Sequence, residues 1–186
     1  LTPSFSTNNV TNFLEILKPI SGDYFVNINS PQESKITLLA YDKTGEVFEK
    51  NIVLKGQNKL HINYNAISAL QTQITQIIDI DIKPNSDENK INFESKGVIP
   101  VAILTTPSFD ASSVDVSTVK FGPGEAIESH GKGHYEDVDN DGDIDLLLHF
   151  KTQETGFTDD NSEICLVGNA FNGNLFKGCN LVKITN

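Results

Sequence analysis

The chain has 186 residues with 25 acidic against 14 basic side chains, a formal net charge of −11, and neither Met nor Trp. Every base is a lysine, so the anionic, arginine-free composition argues against nucleic acid as a partner and against bidentate capture of phosphate or sulfate groups. No apolar run reaches the ~18–20 residues of a membrane span, so membrane insertion is not expected, and a chain without Met is expected to be a processed or excised segment whose targeting peptide, if any, is already removed.

Ile, Val, Thr and Asn dominate, a β-leaning composition. Asn9-Val10-Thr11 has the form of a glycosylation sequon. The first third alternates apolar and polar residues between turn signals, which predicts strands over 13–17, 24–29, 35–41, 47–54 and 59–63. The alternation is clearest in Tyr24, Val26, Ile28 and in Leu60, Ile62, Tyr64; the breaks are Ser21-Gly22-Asp23, Asn29-Ser30-Pro31, Lys43-Thr44-Gly45 and Lys55-Gly56-Gln57-Asn58. Five strands at this spacing predict a small antiparallel sandwich. With Gly22-Asp23-Tyr24-Phe25-Val26 followed by Leu39-Ala40-Tyr41-Asp42, the region resembles the β-sandwich modules that trail the catalytic domains of many secreted bacterial hydrolases.

Residues 66–76 lack strand alternation and predict a short helix or linker, with a domain boundary at its end. Beyond it, strands are predicted over 77–82, 97–104, 118–121, 134–138, 144–150, 163–171 and 175–184. No internal repeat or low-complexity tract interrupts them. Cys165 and Cys179 flank a hairpin with its turn at Asn172-Gly173-Asn174, which places them nearly opposite. A disulfide fits a secreted protein, and buried thiols fit a cytosolic one.

The chemistry is concentrated in Asp137-Val138-Asp139-Asn140-Asp141-Gly142-Asp143-Ile144-Asp145, with acids at alternate positions and glycine at the sixth. Calcium is a hard cation that takes six to eight oxygens at about 2.3–2.6 Å, and alternate residues of a tight loop can aim carboxylates at one centre. Glycine at the sixth place allows the sharp turn that presents the seventh carbonyl. The expected ligands are the side chains of Asp137, Asp139, Asp141 and Asp145 and the backbone oxygen of Asp143. An EF-hand would place glutamate where Leu148 stands, inside Leu146-Leu147-Leu148-His149-Phe150, so the loop is not of that kind. It resembles the hairpin calcium loops of FG-GAP repeats in integrin α chains, where a DxDxDGxxD segment runs into a strand.

The surroundings carry a broader resemblance. Ile80-Asp81-Ile82-Lys83-Pro84, Lys96-Gly97-Val98-Ile99-Pro100-Val101-Ala102-Ile103-Leu104, Phe109-Asp110, Thr118-Val119-Lys120-Phe121-Gly122-Pro123, Glu136-Asp137-Val138-Asp139, Leu166-Val167-Gly168-Asn169 and Phe171-Asn172-Gly173 together resemble one module recurring in secreted bacterial and archaeal proteins. The match runs from about 78 to 184 and implies a secreted accessory domain without naming a ligand.

Other polar residues carry weaker signals. His130 and His134, with Glu136 behind them, are spaced i and i+4, but on a loop entering a strand that spacing is not expected to share a face, so a zinc site is not predicted. His61 and His149 read as single surface or edge residues. Asp79 and Asp81 project from one strand face, toward a second calcium ion or toward water. Asp87, Glu88 and Asn89 form a polar turn, and Asp159, Asp160 and Glu163 read as a solvated loop. There is no GxSxG elbow, phosphate loop, HExxH or cysteine with a histidine partner, so no enzyme activity is expected.

The expected architecture is all-β, with two tandem antiparallel β-sandwich domains at 1–76 and 77–186. The expected function is a calcium-stabilised extracellular structural or accessory module of a secreted or cell-surface protein, with self-association as one form of that role. A calcium-dependent carbohydrate-binding module with polysaccharide as partner is the alternative, and the scarcity of aromatic side chains that could stack on sugars weighs against it.

Overall fold

The computed structural model describes residues 20–185 apart from 87 and 159–162; the sequon, the predicted strand over 13–17, Asp87, Asp159 and Asp160 lie outside the described residues. The described chain is all-β, its only helical pieces being three-residue 3-10 turns.

The first third departs from the expectation of short strands. It holds two long strands, β1 (Gly22–Tyr41) and β2 (Val47–Tyr64), paired antiparallel along their whole length with one register shift between Ser30 and Ser34. The four described strands expected here are the halves of this hairpin, and the breaks read at Pro31 and Gly56 are bends within it. The hairpin folds back on itself. Tyr64 Oη donates to the Tyr41 carbonyl, and the tip is held at the base by Lys43 N–H to Ala66 O at 3.4 Å and Ala69 N–H to Asp42 Oδ2 at 3.3 Å. Its halves meet over a small apolar cluster of Ile52, Leu54, Leu60 and Ile74, with Ile28, Ile36, Leu38 and Phe48 against it.

Residues 66–76 form neither an α-helix nor a free linker. A 3-10 turn (Ala69–Gln71) leads into β3 (Gln73–Ile77). Asn65 Oδ1 accepts the N–H groups of Ile67 and Ser68, and this side-chain turn takes the place of strand alternation. The expected boundary falls inside β3, which pairs antiparallel with β2 and parallel with a strand from the C-terminal end.

The expected strand over 77–82 breaks after Ile77, and β4 (Ile80–Ile82) crosses to a second sheet. There follow β5 (Lys90–Asn92), which was not predicted, β6 (Val98–Ile103), β7 (Val114–Phe121), longer than expected, β8 (His134–Glu136), β9 (Asp145–Lys151), β10 (Glu163–Ala170), β11 (Leu175–Leu181) and β12 (Lys183–Thr185). The final predicted strand is thus split, and its last piece pairs in parallel with β5.

One sheet runs β1-β2-β3-β11-β10-β7 and another β4-β6-β9-β8. The C-terminal half of the first faces the second across the main core. Phe121, Ile164, Leu166 and Phe176 come from one side, and Ile82, Val101, Ile103, Leu146, Leu148 and Phe150 from the other. Alternation along each strand directs these residues inward, which leaves the other face of the four-stranded sheet for polar groups. Cys165 and Cys179 face each other on β10 and β11 and are disulfide-bonded.

Candidate metal centre

The polar face of the four-stranded sheet is built around the β8–β9 hairpin, whose pairing runs from His134 opposite Leu147 to Glu136 opposite Asp145. The aspartate loop is the connection that closes this hairpin. Its turn is made by Asn140 at φ 63° and Gly142 at φ 97°, the latter matching the reason for expecting glycine there. A Cβ on Gly142 would touch nothing within 4 Å, so backbone conformation rather than space selects the residue.

Five aspartates share the loop, and the fold treats them differently. Asp145, first residue of β9, is fully buried. Its Oδ1 accepts Thr105 N–H at 2.8 Å and its Oδ2 accepts Val138 N–H at 2.9 Å. Each oxygen keeps a second lone pair. Asp137 and Asp139 hang over it from the loop, and carboxylate oxygens of the three lie within 4.8 Å of one another. Asp137 also accepts the N–H groups of Asp141 (3.1 Å) and Gly142 (3.2 Å), which shapes the loop. Asp141 lies outside this trio, and its Oδ1 accepts Asp143 N–H at 2.9 Å.

The electrostatics follow from this crowding. Loss of hydration, opposed by an N–H from Asp141 and reinforced by the charges of Asp141, Asp145 and Asp137, holds the Asp139 carboxyl above its ordinary value. Asp81 on β4 is raised too, first by burial and then by Asp139. Its charge and that of Asp139 thus oppose each other. Asp79 is exposed and precedes the strand.

A second cluster occupies the other end of the same hairpin. One ring nitrogen from each of His130, His134 and His149 falls within the same 4.8 Å limit. Ring centroids are 6.4 Å apart for His130 and His134, and 5.7 Å from each of these to His149. This corrects two expectations: His130 and His134 do converge, and His149 is a half-buried member of the group rather than an isolated edge residue. The convergence is produced by a bulge. Residues 128–129 pair beside β9, with Ser129 N–H to His149 O at 2.9 Å and a bridge between Glu128 and Phe150. Pairing resumes at His134, so 130–133 are extra residues between the two paired segments. Gly131, at φ 68°, makes the turn. Gly133 lies against the core, where a Cβ would stand 2.3 Å from Leu146 Cδ1. The signal available in the sequence was Gly131 and Gly133 between the two histidines, a pattern that marks bulges and close approaches. The third ligand had no local signal.

Burial, and then the charges of His130 and His134, push the His149 imidazole below its ordinary pKa. Elsewhere, His61 Nε2 lies 2.7 Å from Asp23 Oδ1 on the β1–β2 hairpin, far in sequence from either cluster. No family model matches the chain, and no curated protein or solved structure is significantly similar to it.

Proposed function

We propose that the chain is a calcium-stabilised structural or accessory module of a secreted or cell-surface protein. The observation that carries the reading is the convergence of Asp137, Asp139 and Asp145 on one point at the end of the β8–β9 hairpin. Oxygens on opposite sides of a calcium ion stand about 5 Å apart, given bonds of about 2.3–2.6 Å. Carboxylate oxygens of the trio lie within 4.8 Å of one another, inside that span. The donors are all oxygen, which suits a hard cation. In this reading the side chain of Asp141 and the carbonyl of Asp143 complete the shell, and Asp81 contributes charge from β4. Calcium bound there ties the loop to the buried end of β9 and thereby to the main core.

Further observations support the rest of the reading. The Cys165–Cys179 bond fits an oxidising compartment, where extracellular calcium is plentiful. The separate apolar clusters, one within the folded-back hairpin and one between the two sheets, support two β units, at 1–76 and 77–186, that share one sheet through β3. Self-association belongs to the same proposal, since the outer edge of β1 pairs with no other strand among the described residues. Resemblance of residues 78–184 to a recurring module of secreted proteins points the same way. The alternative, a calcium-dependent carbohydrate-binding module, is favoured by one feature: Tyr135, beside the aspartate loop in β8, is 54% exposed.

Thermal unfolding with calcium and with a chelator tests the proposal. Calcium at a hundredfold excess over its dissociation constant is expected to stabilise the fold by about 2.7 kcal/mol, and Asp139→Ala is expected to abolish the difference. Identical melts in calcium and chelator would reject calcium as the stabilising ligand. Chelator-sensitive retention on a polysaccharide would shift the function to the carbohydrate-binding alternative.

A further inference from the structure

We infer that His130, His134 and His149 form a second metal site, based on nitrogen donors and selective for a borderline transition-metal ion of the Zn²⁺ class. The inference rests on the histidine geometry alone and does not depend on calcium at the aspartate loop.

Three imidazoles from separate stretches of chain meet on the polar face of the four-stranded sheet: His130 in the bulge, His134 at the start of β8 and His149 in β9. A tetrahedral ion with metal–nitrogen bonds of about 2.0–2.1 Å holds its ligands about 3.4 Å apart. Ring nitrogens already within 4.8 Å reach that spacing by small side-chain rotations. His130 and His134 are exposed, so rotation is open to them and at least one coordination position faces solvent.

The surroundings are those of a supported ligand set rather than of three loose side chains. Glu128 is buried behind the cluster, its side chain 2% exposed. Its Oε2 accepts the N–H groups of His130 (2.6 Å) and Lys132 (3.1 Å), and its Oε1 accepts His149 N–H at 3.3 Å. The same Oε1 stands 3.3 Å from His130 Nδ1. A carboxylate standing beside a histidine ring is the kind of support that orients ligands in metal sites. One carboxylate thus holds the main chain at two of the three histidines and stands beside the ring of one. His149 Nδ1 is shut off from water and has no hydrogen-bond partner among the described residues. Buried polar atoms are normally paired, and an orphaned nitrogen on one of three clustered rings points to a ligand that is not a protein group. Nitrogen donors select zinc, copper or nickel over calcium, so the two ends of one hairpin discriminate between two kinds of cation.

The test uses the full chain with its disulfide intact, stripped by chelator and titrated with Zn²⁺ by calorimetry in saturating calcium. One zinc equivalent is expected to bind despite the calcium, with affinity reduced at least tenfold in His134→Gln and in His130→Gln/His134→Gln. Those rings are exposed, so folding is not at stake in either variant. Glu128→Gln is expected to bind about 10–100-fold more weakly. Co²⁺ in place of Zn²⁺ is expected to give visible d–d bands that vanish in the double variant. The inference is overturned if no zinc binds in calcium, if the histidine variants bind as the parent does, or if Co²⁺ gives the spectrum of the hydrated ion.

Discussion

Thr105 and Asp145 are 40 residues apart in the chain, yet the N–H of Thr105 donates to Asp145 Oδ1 at 2.8 Å at a point closed to solvent. The same carboxylate takes the Val138 N–H on its other oxygen, so one side chain joins the end of β6, the start of the aspartate loop and β9. Asp145→Ala would leave two backbone donors unmet, each at about 1–3 kcal/mol. A loss of about 2–6 kcal/mol is therefore expected by urea unfolding in chelator. Asp145→Asn keeps one acceptor oxygen and is expected to lose less. An alanine variant as stable as the parent would show that Asp145 has no structural role apart from metal.

The turn between β1 and β2 is expected to respond to acid. Hydrogen bonds from the Thr44 side chain and then from the backbone of Thr44, Ala69 and Glu46, against some loss of hydration, bring the Asp42 carboxyl down to about 2. A depressed carboxylate contributes stability that is present above its ordinary value of 3.8 and is lost as pH falls toward about 2. Amide exchange at Thr44, Glu46 and Ala69 is expected to accelerate over that window relative to an unconstrained control. In Asp42→Ala, exchange at these amides is expected to be fast already and not to show the transition.

Cys165 and Cys179 close a short loop between paired strands. Removing such a cross-link typically costs about 3 kcal/mol, largely by freeing the unfolded chain. A Cys165→Ala/Cys179→Ala variant is expected to unfold at lower denaturant than the oxidised parent and to match the parent once a reductant is present. If reductant lowers the stability of the double variant as well, the effect comes from somewhere other than this bond.

Gly131 and Gly133 are required for different reasons, and alanine separates them. At Gly133 a Cβ would meet Leu146 Cδ1 at 2.3 Å and Leu148 Cδ2 at 2.9 Å, both from fully buried side chains. Overpacking of this kind costs about 1–3 kcal/mol. At Gly131 nothing lies within 4 Å, and only the positive φ penalises a side chain, by about 1 kcal/mol. Gly133→Ala is expected to be the more destabilising in a thermal melt, and the reverse order would contradict the packing described for the bulge.

The local features are legible in the amino-acid sequence. Turn residues and two-residue alternation marked the halves of the long hairpin, and Asp137 to Asp145 with Gly142 marked the loop. Each of these is written within about ten residues, because side-chain period and turn conformation are properties of adjacent residues. Long-range packing sets the rest: the hairpin folds back until Tyr64 reaches Tyr41, β3 lies parallel to β11, and the Asp145 carboxylate is capped by Thr105. The same packing brings His149 to His130 and His134, a meeting that depends on the register of β9 against a bulged neighbour. Register between strands is set by the pairing of whole faces across the core, and no window of neighbouring residues contains it.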